Sequence, residues 1–159
     1  MLPLAIAMTL HACNKGTDKS DQASAVTKAY EFTEVEQPPL FAGCSTSANS
    51  DDQKACFNQG IIKHIQENLE YPEQAKELGI SGKVYIEFVV NEKGNVSDVK
   101  MLRGITLEEN ANAELKQAAK SLEDRAIHLV SDIPGLTPAR LKGKKVAMKF
   151  VLPINFRVK

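Results

Sequence analysis

Three cysteines and three histidines carry most of the reactive side-chain chemistry in this 159-residue chain. Cys44 and Cys56 bracket a polar loop, STSANSDDQKA, and in an oxidising compartment two such thiols are expected to pair as a disulfide. Closing a loop of about a dozen residues stabilises a domain by about 3 kcal/mol, and here it would tie the lead-in to the start of the first helix. A rival use of the same thiols, a metal site with His64, matches no common zinc spacing and lacks a fourth ligand. His11 lies in an apolar leader, His64 sits beside Lys63 off the apolar stripe of its helix and reads as solvated, and His128 falls on a long helix. None is near a nucleophile in sequence and no paired acids stand out, so the chain does not read as an enzyme. Without GxxxxGK[ST], GxGxxG or HExxH, nucleotide and zinc-protease chemistry have no support, and neither cofactor nor metal is expected. Acidic and basic residues balance at 20 each and aromatics make up only 6%, which offers a nucleic acid neither a positive field nor a stacking surface.

The elements around these residues follow from periodicity. A hydrophobic fraction of 43% supports one core without being membrane-like. Tyr30 to Val35 suits a brief strand or extended lead-in, ended by Pro38-Pro39. Ser50 or Asp51 is expected to cap a helix carrying Phe57, Ile61, Ile65 and Leu69 on one face, with Ile62 beside them. Gly60 inside it fits either close packing or a tolerated surface glycine. From Tyr71 a short helix opens at Pro72, packs Ala75 and Leu78, and stops at a left-handed Gly79. After Gly82 the period becomes two, with Val84, Ile86, Phe88 and Val90 on one face and Lys83, Tyr85, Glu87 and Val89 on the other. A polar turn over Asn91 to Gly94 and a weaker strand from Val96 to Leu102 complete an antiparallel hairpin. Leu107, Ala111, Leu115, Ala118, Leu122, Ala126, Leu129 and Ile133 then recur at helical spacing, predicting a long amphipathic helix from Thr106 to a stop at Pro134-Gly135. In the last strand Val146, Met148, Phe150 and Leu152 share one face, while Lys145, Ala147, Lys149 and Val151 share the other. Pro153 has no N–H for a ladder bond, which favours a strand with one unpaired side.

The leader is read separately. Leu2 to Leu10 is apolar but about half the length of a bilayer-spanning helix, so residues 1–12 are expected to be a signal peptide. Leu10-His11-Ala12-Cys13 resembles the lipobox of bacterial lipoproteins, which implies lipid attachment at Cys13; a plain secretory signal or a truncated membrane anchor are the other readings. Residues 13–29 then form a polar tether without apolar period, and 30–159 the folded domain.

Several fragments in order resemble the C-terminal domain of TonB, in a form found in Bacteroidetes-type sequences. They are Glu34 to Pro39, Phe41-Ala42-Gly43, Tyr71-Pro72, Gly82-Lys83-Val84, the Gly94 turn and Leu102-Arg103-Gly104. Pro134 to Pro138, Lys142 to Val146 and Leu152 to Phe156 continue the series. Leu136 and Ala139 depart from it, standing where an aromatic and a glycine are usual, and Leu107 to Asp124 exceeds the usual pattern. The resemblance implies an α+β fold: a three-stranded antiparallel sheet packed against two helices, the second extended. It also implies a periplasmic binding module that takes the TonB box of an outer-membrane transporter by strand addition. On this view the peptide lies along Lys145, Val146, Ala147, Met148, Lys149, Phe150, Val151 and Leu152, beside Asn68, Leu69, Glu70 and Tyr71. Lys145 and Lys149 would serve the rim of the site or simply guard an exposed edge. The long spacer and membrane helix of energy-transducing relatives have no counterpart here, so the module is expected to bind without powering uptake, held to a membrane by its lipid. A structural or scaffolding envelope lipoprotein of the same fold is the alternative, and a homodimer is compatible with either.

Overall fold

The computed structural model describes residues 29–31 and 34–158. The expected signal segment, Cys13 and the tether up to residue 28 lie outside the described residues. Along the chain the elements are β1 (Ala29–Tyr30), α1 (Ser50–Asn68), α2 (Glu73–Glu77), β2 (Gly82–Val90), β3 (Val96–Arg103), α3 (Ala113–Ser131), β4 (Ala139–Leu141) and β5 (Lys144–Phe156).

Val84, Ile86, Phe88 and Val90 are each at most 1% exposed, so the period-two face of β2 is the floor of the core. On one side β2 pairs antiparallel with β3 around a turn in which Gly94 adopts φ +84°. A Cβ on Gly94 would stand 1.8 Å from the Leu136 carbonyl oxygen, so conformation and space both require glycine there. On its other side β2 pairs antiparallel with β5 without a break, from Gly82 opposite Phe156 to Val90 opposite Met148. The α+β architecture is as expected: three long antiparallel strands with α1 and α3 on the sheet.

The strand count differs from three. Two short strands join β5: β1 pairs in parallel with Ala147 and Met148, and β4 pairs with Lys144 to Val146 around a turn at Lys142-Gly143. Both central residues of that turn have positive φ, the geometry that lets a two-residue loop follow strand twist.

Helix boundaries also shift. Asn49, and not Ser50 or Asp51, caps α1: its side-chain oxygen accepts from the Asp52 N–H at 2.9 Å. Phe57 and Ile61 are buried and Ile65 and Leu69 pack partly against the core, whereas Ile62 is 54% exposed and lies off that face. Gly60 is a close-packing glycine, since a Cβ there would come within 2.3 Å of the Phe41 ring.

The long helix begins at Ala113, seven residues after Thr106, because Asn112 caps it by accepting from the Leu115 N–H at 2.9 Å. The preceding segment folds back instead of extending the helix: the Ile105 N–H donates to Glu123 Oε1 at 2.8 Å, and Leu107 packs partly buried on the core. Its last helical residue is Ser131, three positions before Pro134.

Candidate functional site

The open part of β5 is the feature that an extended ligand could use. In the sheet order β1-β5-β2-β3, the part of β5 that pairs with β2 meets only β1 on its other side among the described residues, and β1 reaches only Ala147 and Met148. From Val151 to Phe156 that side has no strand partner among the described residues. Pro153 lies opposite Tyr85 and has no N–H to give, which suits a pair that does not bond across. Strand alternation then directs the backbone N–H groups of Lys149, Val151 and Asn155 outward, the first of them into the parallel pairing with Tyr30, together with the carbonyls of all four odd residues from Lys149 to Asn155.

The expected edge is therefore displaced. Lys145 and Val146 pair with β4, Ala147 pairs with β1, and Met148 is paired on both sides, by Val90 and Tyr30. These four positions do not offer a free backbone as the sequence reading assumed, because two strands too short to show a period occupy them. Of the expected edge, Val151 and Leu152 have no strand partner on that side among the described residues, and the opening continues past them. Ala147 and Met148 are fully buried, Phe150 and Leu152 are half-buried, and Val151 is 52% exposed.

Helix α1 lies over this part of the strand. Phe150 stacks on Phe88 with ring centroids 5.3 Å apart and meets Phe57 of α1 at 4.9 Å. The start of α1 is held by the Cys44–Cys56 disulfide, whose Cα atoms are 6.0 Å apart, and by Gln53, which donates to the carbonyls of Thr46 and Ala48. The disulfide commits both thiols that the rival metal site would need, and no group of three metal-ligating side chains occurs among the described residues.

The end of α1 and the residues after it divide by parity. Asn68 and Glu70 turn to α3, where an Arg125 terminal nitrogen donates to the Asn68 carbonyl at 2.8 Å and stands 3.2 Å from the Glu70 carboxylate. Leu69 and Tyr71 turn to the end of β5 and line a cavity of about 780 Å³ with Arg157 and Val158. Tyr71 is fixed at both ends, its hydroxyl donating to the Ile80 carbonyl and its ring meeting Phe156 edge-on at 6.0 Å. His64 is not simply solvated: its Nε2 lies 2.8 Å from the Leu129 carbonyl oxygen and joins α1 to α3.

On the outer face, Glu87 is held below the ordinary carboxylate range, first by its hydrogen bond from Lys100, which outweighs the opposing effect of burial, and then by the charges of Lys100 and Lys149. Lys149 is thus a rim cation already shared with Glu87. Asn155 and Arg157 were missed in the sequence because they follow Pro153, where alternation loses its apolar signal; the Phe156 that continues the buried face was the available clue. No helix among the described residues is long and apolar enough to cross a membrane.

Residues 67–158 match the family described as Gram-negative bacterial TonB protein C-terminal. Protein TonB of Helicobacter pylori is 28% identical over 97 residues, covering 53% of this chain and 35% of that protein, so the chain spans about a third of its curated relative. Two solution structures of the Helicobacter pylori TonB C-terminal domain are also similar. One has a TM-score of 0.42 at 21% identity, covering 72% of this chain and 87% of that one. The other, a shorter form, has a TM-score of 0.32 at 26% identity, covering 64% and 94%.

Proposed function

This chain belongs to the TonB C-terminal family, and on that premise we propose that it is a periplasmic binding module for the TonB box of an outer-membrane transporter. The peptide is added as a strand to β5, and no bond is made or broken. The observation that supports this reading is the side of β5 from Val151 to Phe156 that has no strand partner among the described residues, on a strand whose other side is fully engaged by β2. A guest strand satisfies the outward N–H and C=O groups, and α1 above the edge gives side chains of one parity an apolar wall.

Cys13 is the lipid attachment site in this proposal, with residues 1–12 removed. The tether from Asn14 to Lys28 extends to at most about 50 Å, so the domain works close to the membrane that holds it. Cys13→Ala should move the full chain from the membrane to the soluble fraction; unchanged fractionation would exclude a lipid anchor there. For the binding itself, a fluorescent TonB-box peptide titrated with the domain should show saturable anisotropy, and no change at millimolar protein would refute it.

A further inference from the structure

The receiving edge ends at a cleft that the strand-addition reading leaves unexplained. Past Phe156 the chain runs into the cavity of about 780 Å³, lined by Gln66, Leu69, Tyr71, Lys76, Arg157 and Val158. The ionisable groups among the described residues that line it include two cations and no carboxylate. Among the described residues, no acid lies within ion-pair distance of Lys76 or Arg157, and the two nearest acids in sequence on the α1 side are engaged elsewhere. Glu67 faces Lys63 at 3.8 Å and Glu70 faces Arg125 at 3.2 Å.

Arg157 is held in place without being neutralised. With the Asn155 amide turned to accept, its oxygen stands 3.0 Å from Arg157 Nε and 3.2 Å from a terminal nitrogen. The following residue is held too, the Val158 N–H donating to Ser81 Oγ at 3.3 Å. Two like charges at one cleft repel each other, and a carboxylate between them relieves that repulsion while accepting charge-assisted hydrogen bonds. Leu69, Tyr71 and Val158 supply apolar wall for the stem of the same side chain.

We infer that this cleft selects guest peptides carrying an acidic residue at the end of the added strand that reaches Phe156. The inference rests on the reading of β5 as the receiving edge. A guest running parallel to β5, as β1 does on the same side, places its C-terminal end there.

The test uses four TonB-box peptides that differ only in Glu or Gln at either end, titrated into the domain at fixed ionic strength. Glu at the C-terminal end should bind about fivefold tighter than Gln, as expected for a partly exposed charge-assisted contact. The double variant Lys76→Gln, Arg157→Gln should erase that preference and leave the affinity of the Gln peptide unchanged. Equal binding of the Glu and Gln peptides, or a preference that survives in the double variant, would overturn the cleft assignment alone. A preference for Glu at the N-terminal end that the double variant erases would keep the cleft and reverse the strand direction. Failure of all four peptides to bind would instead overturn strand addition, and the cleft assignment with it.

Discussion

The sheet has two outer edges, the side of β3 away from β2 and the side of β5 away from β2, and they are built differently. The β2–β3 register slips twice, between Tyr85 and Ile86 and again between Glu87 and Val89, and Asp98 adopts φ +50° on β3. Bulges of this kind twist an edge away from a regular partner, and Asp98, Lys100 and Arg103 add charge to it. Met101 and Leu102, although 37% and 50% exposed, therefore sit on an edge that is a poor template. In contrast, β5 keeps nine consecutive pairs with β2 and passes that regularity to its free side. An exposed apolar side chain is thus a weaker sign of a receiving edge than an unbroken register behind it.

The largest effect expected from perturbing this contrast is on stability. Replacing both Cys44 and Cys56 by Ser opens the loop that clamps α1 over Phe150, and should cost about 3 kcal/mol in urea unfolding. Hydrogen exchange should quicken first on the β5 side, with β3 amides following only at global unfolding; an equal response at both edges would show that the clamp does not act locally.

A smaller effect separates the edges by binding. Val151→Pro removes one of the outward donors and should weaken TonB-box peptide binding about tenfold, roughly 1.4 kcal/mol, whereas Leu102→Pro on β3 should change it less than about twofold. Circular dichroism would confirm that both variants remain folded. Similar losses in the two variants would remove the distinction between the edges.

The smallest effect concerns the charge pair that bridges β2 and β3. Because Glu87 is held below its ordinary value of 4.5 by Lys100, its contribution is present above that value and lost as the pH falls through the lower folded value. Lys100→Gln should lower the midpoint of thermal unfolding slightly at neutral pH, and the difference should shrink as the pH falls through the lowered folded value and the carboxylate takes up its proton. A difference between the variants that grows on acidification would contradict the assignment.

How far the sequence revealed this arrangement depends on whether the signal was local. The alternation of β2, the Gly94 turn and the left-handed Gly79 are properties of a few adjacent residues, and they appear as read. The start of α3 was misplaced because Leu107 and Ala111 keep helical spacing while serving a folded-back segment; Asn112, a good capping residue, was the competing signal. β1 and β4, at two and three residues, are too short to show a period, and their pairing depends on partners distant in sequence. That is why four residues of the expected edge proved to be occupied. Pro153 pointed to an unpaired side from the sequence, but not to where along β5 it begins.

The most direct test of the receiving edge is amide hydrogen exchange of the isotopically labelled domain, with and without a saturating TonB-box peptide. Strand addition predicts new protection at the Val151 and Asn155 amides, with those of β3 unchanged. Protection along Val96–Arg103 instead, or no change at any β5 amide with peptide bound, would contradict it.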